Sequence, residues 1–122
     1  SPPPKPPDFP LPPMVRQELS RHDYKEARCL DGSPGAYYLR HAPPGADTNH
    51  SWVVQLEGGT YCLNKTDCKE KAGGSSGSSV KWSGVMEGHG FTSKDPVLNP
   101  FAAWNHVFIG YCSGDQWLGS AG

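Results

Sequence analysis

The run Trp52-Val-Val-Gln-Leu-Glu-Gly-Gly-Thr-Tyr-Cys62 constrains this chain more than any other stretch. Its apolar, β-branched half suits a buried strand, and that strand stops abruptly at paired glycines. Backbone without a Cβ can approach a ligand closely and present N–H groups that no side chain crowds. Such donors are needed where negative charge develops on a carbonyl oxygen, so Gly59 and Thr60 are candidate oxyanion donors, with Gly58 beside them. An isolated Gly-Gly pair, by contrast, more often marks only a tight turn leaving a strand.

The 122 residues suffice for one small domain, and the formal net charge of −1 gives no long-range field. A polyanion-binding role such as nucleic-acid recognition is therefore excluded. Hydrophobic residues make up only 35%, against 15 glycines and 13 prolines, so the apolar core available to this stretch is small. No apolar run approaches the ~20 residues that a membrane-spanning helix requires. The beginning inside a proline tract and the stop at Ser120-Ala-Gly122 read as the ends of a piece of a longer polypeptide.

Four cysteines allow three pairings, among which the residues alone do not choose. Their even number favours an oxidising compartment, and the sequons Asn49-His-Ser51 and Asn64-Lys-Thr66 fit a secreted protein, extracellular or in a cell wall. His22, His41, His50, His89 and His106 lack metal-site spacing, and Cys62 and Cys68 lack the C-x-x-C spacing of redox or zinc sites. No metal and no cofactor is expected.

Eight prolines among residues 1–13 read as a polyproline II connector, and residues 1–25 as a Pro-rich linker and flexible lead-in, with a weakly patterned helix over Val15 to Lys25. Residues 26–122 form the domain portion. Within it, Ala36 to Arg40 suggests a strand, His41 to Asn49 a hairpin connection, and Ser51 to Leu56 the next strand. Leu63 to Lys71 has the polar composition of a surface helix ended by Gly73-Gly74, and Gly73 to Ser79 reads as a disordered Gly/Ser loop. His106 to Tyr111 carries the near-continuous apolar run of a central parallel strand. Strand, helix and strand then make one right-handed crossover, the mark of an α/β fold.

Together with Cys29-Leu-Asp-Gly-Ser-Pro34 and Tyr111-Cys-Ser-Gly-Asp-Gln-Trp-Leu-Gly119, the Gly-Gly segment resembles the N-terminal part of the pectin acetylesterase and Notum carboxylesterase family. The resemblance implies a truncated α/β-hydrolase fold with a mostly parallel sheet. It also implies a secreted, monomeric serine carboxylesterase whose partner is an ester substrate. That enzyme would remove acyl groups, acetyl first, from a polysaccharide such as pectin, or acyl groups from lipidated protein. The nucleophilic Ser and the Asp and His that follow it would lie downstream, leaving these residues inactive alone.

The family pattern further implies the bridges Cys29–Cys112 and Cys62–Cys68, a pocket-lining or merely core Tyr61, and Asp115 and Trp117 beside the site, with Asp115 as support and not triad acid. Thr60 departs from the Trp or Gly of the relatives, which leaves backbone donation intact and the substrate class open. Glu57 is better suited to bracing the loop than to acid catalysis. Leu118-Gly-Ser-Ala-Gly122 imitates a G-x-S-x-G elbow, but Leu118 stands where the pattern needs Gly, which argues against Ser120 as nucleophile. A non-catalytic, disulfide-stapled binding module on a Pro-rich stalk would also explain the cysteines, sequons and prolines, but not the Gly-Gly match.

Overall fold

The computed structural model describes residues 11–20, 22–59, 62–74, 77–115 and 117. Its strands are β1 (Met14–Glu18), β2 (Ala36–Arg40), β3 (Trp52–Leu56), β4 (Val85–Met86) and β5 (Asn105–Ile109), and the helix is α1 (Lys65–Lys71). They form one sheet in the order β3-β5-β2-β1-β4. The Asn105 N–H donates to Ser51 O and the Glu57 N–H to Ile109 O, so β3 and β5 run parallel. The rungs Gly110 N–H to Ala36 O and Leu19 N–H to Gly35 O join strand ends to strand starts, so β5–β2 and β2–β1 are antiparallel. β1 and β4 are antiparallel as well. The sheet is thus mixed, and its parallel pair is the one whose connection carries α1.

Three expectations need correction. No helix forms among the described residues of Val15 to Lys25: residues 14–18 are β1, inside the stretch read as a lead-in, because Met14 is fully buried and Met14 and Val15 pair with Met86 and Val85. The connection 41–49 is not a hairpin, since β5 lies between β2 and β3. Finally, the end of the Gly/Ser loop is anchored. Ser79 is buried, its N–H donates to Ser33 Oγ and its hydroxyl to Pro34 O, and Gly77 O accepts the Asp31 N–H. Buried polar groups with partners hold a segment that composition alone marks as loose.

The described residues fall into two compact units. The first comprises the described residues up to Arg16 with Tyr38–Gln55 and Gly84–Phe108. Met14, Tyr38 and Phe108 form its apolar core, with Met86 against them. Beside that core, buried Arg40 donates through Nη1 to Pro12 O and Glu87 O, and through Nη2 to Thr92 O at 2.7 Å and His106 Nδ1 at 2.6 Å. A guanidinium only donates, so His106 Nδ1 accepts and its Nε2–H donates to Phe101 O at 2.7 Å. Burial, chiefly, and the Arg40 charge hold the His106 imidazole below its ordinary range, against the opposing pull of the Phe101 carbonyl. The Asn105 side chain accepts the Ala42 N–H and donates to Asn49 O and Ser51 O, closing the connection between β2 and β3.

The second unit comprises Gln17–Tyr37, Leu56–Ser83 and the described residues from Ile109 onward. Cys29 is bonded to Cys112 and Cys62 to Cys68. Asn64 caps α1, its side chain accepting the Asp67 N–H at 2.9 Å, and the helix closes on Ala72. Asp31, held below the usual carboxylate range by hydrogen bonds from Ser33 and then Ser78, braces the turn before β2.

Candidate functional site

Of the residues singled out in the sequence, Gly58, Gly59, Asp115 and Trp117 lie in the second unit. The ladder between β3 and β5 ends on the Glu57 N–H, bonded to Ile109 O at 3.0 Å, and Gly58 and Gly59 follow immediately. Both glycines lie at the surface, and among the described residues neither donates a main-chain hydrogen bond. Thr60 and Tyr61, the remaining candidates on this loop, lie outside the described residues. So do the residues from Leu118 onward, including Ser120.

The two glycines differ in kind. A Cβ on Gly58 would meet nothing within 4 Å, whereas one on Gly59 would fall 2.0 Å from the Tyr111 ring. Tyr111 is almost completely buried, so its ring does not yield easily, and only glycine lets the chain cross it. Sequence reasoning gave Tyr111 no role beyond marking a strand end. The signal was an aromatic directly after the β5 run, at the C-terminal strand edge where open α/β sheets bind ligands.

Glu57 is tied on every side. Its Oε1 accepts the Tyr111 N–H at 2.7 Å, and its carbonyl oxygen accepts the Trp117 indole N–H at 3.0 Å. The bracing read from the sequence is this pair of main-chain and indole bonds, with no Arg involved among the described residues. Asp115 Oδ1 accepts both the Ser113 hydroxyl at 2.5 Å and the Trp117 N–H at 3.1 Å, fixing the turn after β5. The Trp117 ring lies 5.4 Å from that of Tyr111. The Ser113 and Trp117 partners of Asp115 both lie on its own loop. Of the sequons, Asn49 and Asn64 are both exposed.

Among the described residues no group of three or more His, Cys, Asp and Glu is arranged to hold a metal, and no helix is long and apolar enough to cross a membrane. The chemistry the arrangement offers is donation from bare amides at the end of a parallel strand pair.

Mixed sheet, Gly-Gly turn and flanking bridge define the N-terminal piece of an α/β-hydrolase. The structure resembles that of the Wnt deacylase Notum from Drosophila, with a TM-score of 0.72 and 31% identity, over 87% of this chain and 29% of that one. The pectinacetylesterase family model matches residues 14–122, and the chain belongs to that family. It is 38% identical over 98 residues to human palmitoleoyl-protein carboxylesterase NOTUM, covering 76% of this chain and 18% of that protein. It is 39% identical over 94 residues to Arabidopsis thaliana pectin acetylesterase 5, covering 76% of this chain and 22% of that protein. The chain therefore spans about a fifth of the length of these curated relatives.

Proposed function

We propose that these residues supply the oxyanion-binding segment of a secreted serine carboxylesterase. A Ser carried elsewhere in a longer polypeptide attacks the ester carbonyl, a His accepts its proton, and the N–H groups of Gly59 and Thr60 receive the developing charge. The observation that carries this reading is the end of the ladder at Glu57, followed by two glycines whose amides are left unengaged among the described residues. Gly58, Tyr61, Asp115 and Trp117 shape or support the site in this proposal. Acetylated polysaccharide is the first substrate class and acylated protein the second, matching the two activities named in the relatives.

The test is hydrolysis by the longer, secreted polypeptide of acetylated pectin and of medium-chain acyl esters, assayed as a monomer without added cofactor. Release of acetate from pectin supports the first class. Turnover of the medium-chain acyl esters alone moves the assignment to the second, and no turnover of either sinks the esterase reading.

Secretion carries a further expectation at Asn49 and Asn64. Asn64 uses Oδ1 as a helix cap, which leaves Nδ2 for an N-linked glycan without loss of the cap. Thr66→Ala removes the sequon and keeps the cap, so loss of the mass increment at Asn64 in that variant supports modification there. An unmodified Asn64 in the wild type refutes it.

A further inference from the structure

We infer that Trp117 is a positioning residue for the Gly58-Gly59 turn, acting through its indole N–H on the carbonyl of Glu57; the inference rests on the esterase reading above. The bonded carbonyl belongs to the same peptide unit as the Gly58 N–H. In a planar trans peptide those two groups point in opposite directions, so holding Glu57 O at 3.0 Å from Trp117 Nε1 aims the Gly58 N–H away from the indole. The Glu57 N–H is held in the ladder and its carboxylate is held by the Tyr111 N–H. The residue leading into the turn therefore has its amide, its carbonyl and its side chain all fixed. One step further along, the Gly59 Cα lies against the Tyr111 ring, and that ring is packed on Trp117. Trp117 thus reaches both peptide units of the turn, one through a hydrogen bond and the other through Tyr111.

A second observation points the same way. Trp117 has φ +67°, and no other described non-glycine residue has positive φ. A bulky aromatic rarely adopts that backbone, which is strained and persists only where neighbouring contacts over-determine it. Here the contacts are the Asp115 carboxylate on its N–H, the Tyr111 ring on its face and the Glu57 carbonyl on its indole. A loop that needed only to cover Tyr111 could do so with relaxed backbone. The left-handed turn at Trp117 brings the indole nitrogen, on a residue that is 39% exposed, back onto the carbonyl at the root of the Gly-Gly turn.

The experiment compares the longer, active polypeptide with two variants, Trp117→Phe and Trp117→3-benzothienylalanine. The second keeps the bicyclic shape and replaces the N–H by sulfur. Active sites are counted by stoichiometric labelling of the nucleophile with a fluorophosphonate, and kcat and KM for a p-nitrophenyl ester are referred to labelled sites. The expected result is a kcat per labelled site about tenfold lower in both variants with KM within about twofold, since the fixed Glu57–Gly58 peptide sets the direction of the Gly59 N–H that follows it, and the aim of that proposed donor matters in the transition state and little in substrate binding. A merely structural role would lower the number of labelled sites and leave kcat per site unchanged, and that outcome overturns the positioning role. Absence of turnover in the wild type would instead remove the esterase reading, and this role with it. The sulfur analogue keeps the test decisive if the smaller Phe ring destabilises the loop.

Discussion

The two units of this chain hold themselves together in opposite ways. In the first, polar groups are directed inward: Arg40, Thr92, Asn105 and His106 are buried and bonded to one another or to carbonyls. In the second, two disulfides and close backbone contacts do the holding, and the amides of Gly58 and Gly59 are left unengaged among the described residues. The first unit turns its polar groups inward, with Arg40 Nε a buried donor that has no partner among the described residues.

The largest effect expected in breaking this contrast is at the long bridge. Cys29 and Cys112 are 83 residues apart, and on the chain-entropy model such a loop contributes about 4–5 kcal/mol, against about 2 kcal/mol for the six-residue separation of Cys62 and Cys68. Paired Cys→Ser variants measured by denaturant unfolding should rank in that order. Equal losses would show that the bridges act through native-state geometry instead. In the first unit, Arg40→Met should cost about 3–5 kcal/mol by the same measurement, because four buried or half-buried acceptors lose their donor at once. A loss below about 1 kcal/mol would mean that the guanidinium is not what ties this unit together.

How far the molecule could be read from its residues follows the same division. β2, β3, α1 and β5 are legible because each carries its own period or apolar run, and the Gly-Gly turn is legible because nothing but glycine explains it. β1 escaped because its pattern, one buried Met followed by exposed and polar residues, is too short to show a period. It becomes a strand through pairing with β2 on one side and β4 on the other. The order β3-β5-β2 was equally hidden, since adjacent strands in sequence usually pair and nothing local shows that β5 inserts between them. The Tyr111 ring beneath Gly59 and the indole of Trp117 on Glu57 depend on residues more than 50 positions apart meeting in space, which no local spacing encodes.

The glycine pair sharpens the contrast at intermediate size. Gly59→Ala drives a Cβ into the Tyr111 ring and should cost about 1–3 kcal/mol by overpacking, whereas Gly58→Ala meets open space and should stay within about 0.5 kcal/mol. Both are read from unfolding midpoints at constant slope. Equal effects would mean that Gly59 is required for its conformation and not for the ring beneath it.

The smallest effect expected is on pH, and near neutrality it belongs to the first unit. His106 sits in a site built for the neutral ring: Nδ1 accepts from Arg40 and Nε2–H donates to Phe101 O, so a second proton at Nδ1 would face a cation. Its folded pKa lies below the ordinary 6.5, so the folded state binds fewer protons than the unfolded chain once pH falls under that value. The stability contributed is complete above about pH 6.5 and declines as pH falls from there towards the depressed folded pKa. The lowered carboxylates Asp31 and Asp67 act in a separate window, below the ordinary carboxylate range. Unfolding midpoints should therefore drop between pH 7.5 and 5.5 in the wild type, and the drop should shrink in His106→Gln, whose amide offers both an acceptor and a donor but does not titrate. An undiminished drop in that variant would assign the acid sensitivity elsewhere and leave the Arg40–His106 pair as packing without a proton-linked role.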